Sequence, residues 1–277
     1  MDDLNFRTRI KGDHFGAIPG CLGVILLDES SNEVVALTAG QVVRGAAAIL
    51  ADGQAIGTCS HDVDRRHDGQ ARRPTWSLLE MVRLDRDVSL ARPSTVLGAL
   101  PGPPVLRMTG DISTHLGQSV LVHGHGPIPR EGNLRSTHAL FRMPAPDNGE
   151  PTVFLDAMMI TSLDGRPLSV EGDAGALVTS LHGDCLGVIV AGLDDSSYAA
   201  PIPPLLVDRP LQPIRDYDVE QWNETAWTRP LAPAPPAPVP PARRPVMALA
   251  IDMANDDWRE DPQAMADAGR ELARAAL

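Results

Sequence analysis

The sequence predicts an all-β body with a proline-rich linker and a short helical extension behind it. Three observations carry this reading. Short apolar runs recur from about Gly20 to Val207, Gly, Pro and Asp clusters separate them, and no long helical periodicity crosses that region. In chain order the expected strands are "CLGVILLDE", "EVVALTAG", "AAAILADG", "WSLLEMVRL", "QSVLVHGHG", "TVFLDAMMITSL", "GALVTSL" and "CLGVIVAGL". Each reads as a strand of five to eight residues, and many short strands with frequent turn signals argue for a sandwich or a pair of barrels.

The texture changes after Arg209. Residues 1–210 are read as the folded domain, 211–245 as a Pro/Ala-rich linker and 246–277 as a helical tail. "RPLAPAPPAPVPPARRP", Arg229 to Pro245, favours extended polyproline II and has nothing to build a core from. Beyond it Val246, Leu249, Ala250 and Met253 fall at helical spacing. Asp261-Pro262 forms an N-cap and first turn, and Met265, Ala268, Leu272 and Ala276 continue along one face. So short a tail buries little area alone, and is expected to dock on the body or on a protein or peptide partner.

Charge narrows the partners. A formal net charge of −12 disfavours nucleic acid and anionic membrane surfaces, both of which call for a basic face. Lys11 is the only lysine, so a local basic patch is built from arginine. "MDDLNFRTRI" opens acidic without an apolar stretch, and no segment approaches the ~18 apolar residues that span a bilayer. Cys21, Cys59 and Cys185 are an odd set without metal-ligand spacing. They are expected to be free thiols in a reducing cytoplasm.

Three stretches fall in the order of a known family. "EVVALTAGQVV" (33–43) resembles the Leu-Thr-Ala-Ala/Gly-His segment of the trypsin-like, chymotrypsin-fold serine peptidases, with Gln41 at the histidine. "DRDVSLARP" (85–93) is similar to the Asp-[Ile/Val]-Ala-Leu segment and places Asp87 at the acid. "EGDAGALV" (171–178) resembles the nucleophile loop, with Ala174 at the serine. The intervals, 46 positions from Gln41 to Asp87 and 87 from Asp87 to Ala174, leave room for the strands between them. "GCLGVILLDE" resembles the opening strand of the smaller bacterial members, "DCLGVIVAG" the strand beside the specificity pocket, and "SSYAAPIPPLL" the last strand. The resemblance covers Ile10 to Val207 and implies a chymotrypsin-like double β-barrel.

It also implies what is missing. In the family the serine hydroxyl attacks a carbonyl, the histidine takes its proton, the aspartate orients the imidazole, and backbone N–H groups stabilise the oxyanion. Ala174 has no hydroxyl, and the carboxamide of Gln41 cannot shuttle a proton near neutrality. Asp87 keeps only a neutral partner, while the N–H groups of Gly172 and Ala174 remain as oxyanion donors. Counting back from the serine position puts Leu168 at the pocket floor, which implies an uncharged side chain in it. The expectation is a pseudoprotease that binds or scaffolds without a cofactor or metal. The alternative is an active peptidase carrying inactivating substitutions at Gln41 and Ala174.

Two other groupings are candidate sites. "SHDVDRRHDG" (60–69) collects His61, Asp62, Asp64, His67 and Asp68, which reads as a solvated loop. "VHGHG" sets His123 and His125 two apart, on one face if the strand continues, where surface histidines are expected.

Overall fold

The structure is a computed structural model that describes residues 3–14, 16–29, 31–60, 72–97, 106–143, 152–193, 195–203 and 211–226. The first half carries β1 (Arg9–Gly12), β2 (Gly20–Cys21), β3 (Ile25–Asp28), β4 (Glu33–Ala39) and the short helix α1 (Gly40–Val43). It continues with β5 (Ile49–Ala51), β6 (Gln54–Ser60), β7 (Arg72–Pro74), β8 (Leu79–Leu84) and α2 (Pro93–Leu97). The second half carries β9 (Arg107–Met108), β10 (Ser119–His123), β11 (Arg130–Met143), β12 (Thr152–Ser162) and β13 (Leu177–Ser180). It ends with β14 (Asp184–Leu193), β15 (Ser196–Pro201), β16 (Leu211–Pro213) and α3 (Asp216–Ala226).

These strands make two eight-stranded sheets, ordered β16-β3-β4-β8-β6-β5-β1-β2 and β11-β10-β13-β14-β15-β12-β7 with β9 on β14. Both close on themselves. In the first, the segment 20–28 pairs with β1 at its start and with β4 at its end, bridged by Gly23 N–H to Leu37 O at 2.7 Å. In the second, β11 pairs with β12 as well as with β10. The result is the expected all-β double barrel. Every one of the eight apolar runs holds a strand, because alternate residues such as Leu26, Leu37, Val82, Val120, Met158 and Val188 fill the barrel interiors.

The chain also crosses between barrels. β7 lies in sequence between two strands of the first sheet, yet it runs parallel to β12 of the second. Thr75, just after it, donates its hydroxyl to Asp156 O at 2.9 Å. The closing elements go the other way. β16 pairs with β3, and α3 buries Val219 and Trp222, whose indole N–H donates to Val88 O at 2.9 Å.

That return corrects the expected break after residue 210. Residues 211–226, read as the start of the linker, are folded, because Leu211, Ile214, Val219 and Trp222 supply an apolar face to the first barrel. The Pro/Ala-rich segment 229–245 and the tail 246–277 lie outside the described residues, as does the loop with His61, Asp62, Asp64, His67 and Asp68. No described helix is long and apolar enough to cross a membrane.

Candidate functional site

β4 delivers Gln41. Its run Val34–Ala39 is buried, and the chain leaves the sheet at Ala39 directly into α1. Val42 and Val43 are fully buried and pin this turn of helix against the barrel, which leaves Gln41 facing solvent.

The turn 170–176 is set by its backbone. Gly172 and Gly175 have φ of +91° and +94°, a region that side-chain-bearing residues avoid. A Cβ on Gly175 would also meet Cys21 O at 2.2 Å. Asp173 N–H donates to Val170 O (3.0 Å), Gly175 N–H to Ile189 O (2.8 Å) and Cys21 N–H to Ala174 O (2.7 Å). None of these bonds involves the side chain at 174, so the loop keeps its shape with alanine there. Among the described residues, neither Gly172 N–H nor Ala174 N–H donates to a protein acceptor.

Asp173 anchors the turn, as expected of a residue that shapes it next to the core, through partners the sequence reading did not name. Its carboxylate is completely buried. One oxygen accepts from Val170 N–H at 2.8 Å and from the Arg130 guanidinium. The other accepts from His125 N–H at 3.2 Å and lies 3.0 Å from His125 Nδ1. A buried carboxylate needs such partners, since an unpaired one would be prohibitively desolvated. The signal in the sequence was an acid wedged among glycines in an apolar stretch, with an arginine closing "VHGHGPIPR".

Gln41 and Ala174 line one cavity of about 250 Å³, together with Ile18, Pro19, Ser169, Val170, Glu171, Gly172 and the strand Ile189–Gly192. Two of the three expected triad positions, Gln41 and Ala174, thus line a single cleft, with Gly172 beside them. Glu171 is the only titratable side chain among the lining residues.

Asp87 is not brought there. β4 and β8 run antiparallel with Ala39 opposite Leu79 and Val35 opposite Arg83, so Gln41 follows the Leu79 end of β8. Asp87 lies beyond the opposite end, beside Arg86, whose guanidinium reaches Asn32 O at 2.5 Å. It is exposed, and with Asp85 close by it raises that neighbour's pKa, after burial as the larger cause. The acid assignment fails on strand register: the similar "DVSL" text follows β8, whereas the end of β8 next to α1 carries Ser77 and Leu78. The carboxylate that does approach α1 is buried Glu80, and Arg44 Nε takes it at 3.0 Å.

Leu168 is displaced as well. It is 2% exposed and packs in the second barrel's core, while Ser169, one residue on, lines the cavity. The chain bends at these two residues, and the apolar side chain of the pair goes to the core. Ser169 Oγ lies 2.7 Å from the hydroxyl of fully buried Ser197, so a hydroxyl pair stands where an apolar floor was expected.

The histidines separate. His123 is fully buried, with Nε2 2.9 Å from Thr179 Oγ1 and Nδ1 3.3 Å from Arg7 Nη2. Burial first, and the Arg7 charge second, push its pKa down to about 3. The surface placement expected for it is thus wrong, while His125 is partly exposed.

Cys21 Sγ, a His125 ring nitrogen and an Asp173 oxygen lie within 4.8 Å of one another. They do not suit a metal. Both carboxylate oxygens are engaged, and burial with the nearby Asp173 charge pushes the Cys21 thiol up to about 12, where it donates to Gly172 O at 3.2 Å. Cys185 is pushed up to about 12 by burial also. Cys59 is half-buried, with its thiol 3.8 Å from a Glu80 oxygen, and none of the three is in a disulfide. A native titration with a thiol-specific chromogen should therefore count one fast cysteine, Cys59, and three after unfolding. Two fast thiols in the folded protein would contradict the burial of Cys21 or Cys185.

No protein-family model matches the sequence, and no curated protein aligns with it. Solved structures do resemble it. Thermobifida fusca protease A superposes with a TM-score of 0.52 at 16% identity, covering 77% of this chain and 99% of that one. A Nocardiopsis protease gives 0.53 at 14% over 76% and 98%. An alpha-lytic protease homologue gives 0.51 at 17% over 76% and 98%. At this level of identity the common property is architecture: the chain has the chymotrypsin-like double-barrel fold of the trypsin-like serine proteases.

Proposed function

We propose that the chain is a pseudoprotease: a trypsin-like double barrel whose cleft holds a peptide or a partner's loop without cutting it. One observation carries the reading. Gln41 and Ala174 face the same cavity beside the free N–H groups of the Gly172 turn, so the binding half of a peptidase site persists where the reacting half is missing. The cavity walls are apolar apart from the Ser169 hydroxyl, Gln41 and Glu171, and suit an uncharged side chain. The three cysteines, none of them in a disulfide, support a reducing cytoplasm. Recruitment of a protein partner through residues 246–277 is a separable part of the proposal.

The alternative, an active peptidase inactivated at two positions, predicts an acid still in place beside residue 41. Asp87 stands at the far end of β8 instead, which favours a site that has lost all three roles.

The combined variant Gln41→His/Ala174→Ser tests the choice. A fluorophosphonate probe should leave the parent chain unlabelled. It should react with the variant at least about 10⁴-fold more slowly than with an intact triad, because an unoriented histidine sits in the wrong tautomer. Fast labelling at 174 with digestion of a peptide library would favour the alternative, and any labelling of the parent at that loop would refute the proposal.

A further inference from the structure

We propose that Arg7, Arg9 and His125 form a carboxylate-binding site flanking the cleft across Gly172, and that it takes an acidic group of the peptide held there. This rests on the peptide-binding reading above. The three side chains line a second cavity, of about 460 Å³, next to Asn5 and Thr8.

The chain is acidic overall, and a bare pair of guanidinium groups in one cavity runs against that background. Asp3 and Asp52 line the same space, yet among the described residues neither Arg7 nor Arg9 has a carboxylate partner. Arg7 is fixed without being neutralised. Its Nη1 donates to Pro127 O at 2.6 Å and its Nη2 meets the ring of buried His123 at 3.3 Å. Both partners are uncharged. Its Nε is buried and lacks any partner among the described residues, so no acceptor there offsets the charge.

Position ties this cavity to the cleft. Arg9 sits on β1 opposite Cys21, the residue whose N–H holds Ala174 O. A Cβ built on Gly172 would lie 4.0 Å from Arg9 Nη2 and 3.7 Å from His125 Nδ1. Gly172 also lines the cleft. One residue without a side chain therefore separates the two cavities, and a chain passing over it reaches both. Asp173 engages His125 through Nδ1, which leaves Nε2 as the ring nitrogen for a ligand. Planar guanidinium groups match carboxylate geometry two bonds at a time. The acid has two possible sources, a peptide's C-terminus or an Asp/Glu side chain.

Fluorescence anisotropy on the full chain, with labelled apolar hexapeptides ending in Glu or Gln and with free or amidated C-termini, separates them. Peptides carrying the recognised acid should bind about tenfold tighter than their amide isosteres. That advantage should shrink at high salt and vanish in Arg9→Gln, an exposed position whose replacement leaves the fold intact. Whichever isostere pair responds names the source. Equal binding of acid and amide peptides would overturn the carboxylate site while the peptide-binding cleft stands. If no peptide binds, the cleft reading fails, and a second readout still decides this one. The His125 ring NMR signal, assigned with His125→Asn, should move on titration with succinate but not succinamide, and only with Arg9 present. A signal indifferent to succinate would overturn the site.

Discussion

Replacing Arg130 by alanine is expected to cost about 3–5 kcal/mol of folding stability. The loss comes from the Asp173 carboxylate, which is completely buried and accepts from this guanidinium. Removing the cation leaves a buried charge with two backbone N–H donors and the half-exposed ring of His125. The carboxylate must then take up a proton or drag water into the turn. Urea unfolding at neutral pH reads the effect, and Arg130→Lys should recover part of it, since it restores charge without the forked geometry. The cleft should suffer along with stability, because Asp173 holds the Gly172–Ala174 donors in place. A cost under about 1 kcal/mol, typical of exposed ion pairs, would mean the turn is held by its backbone bonds alone.

His123 should impose a steep acid limb on stability. Its imidazole is fully buried and its pKa lies near about 3, against 6.5 for the unhindered group. Below pH 6.5 the unfolded chain binds a proton there that the folded chain refuses. Stability is therefore greatest above pH 6.5 and falls as pH drops towards 3. Between pH 7 and pH 4 the expected loss from this one ring is on the order of 3 kcal/mol. Denaturation midpoints across that range should fall more steeply in the parent than in His123→Gln, which keeps a polar group near Thr179 and does not titrate. Parallel profiles would show that the ring is not held neutral in the interior.

Much of the barrel pair was legible because strands that fill an interior must be apolar on alternate residues, as in "EVVALTAG" and "CLGVIVAGL". β11 escaped notice for the opposite reason. Its inward positions include Gly132 and Thr137, its outward ones Arg135 and His138, and three register shifts interrupt the pairing with β12. No hydrophobic rhythm survives that mixture. The positions Gln41, Gly172 and Ala174 were readable because short fixed turns carry them. Asp87 was misplaced because the text that resembles the family's acid segment follows β8, away from α1, and Leu168 because it was placed by counting back from residue 174 through a segment that bends. His123 was misplaced because β10 ends at that residue, so the alternation that would have set it on one face with His125 does not continue, and His123 turns into the interior while His125 is left exposed. Arg130 and Asp173 meet across 43 positions, a distance over which no local pattern speaks.

The crossing of β7 into the second sheet, with β16 and α3 returning to the first, makes the halves a poor unit of exchange. Recombination that grafted a foreign barrel onto either half would strip the recipient of a strand it borrows from the donor's territory. Descent with such a lacing favours change at loop tips and cavity linings over wholesale replacement.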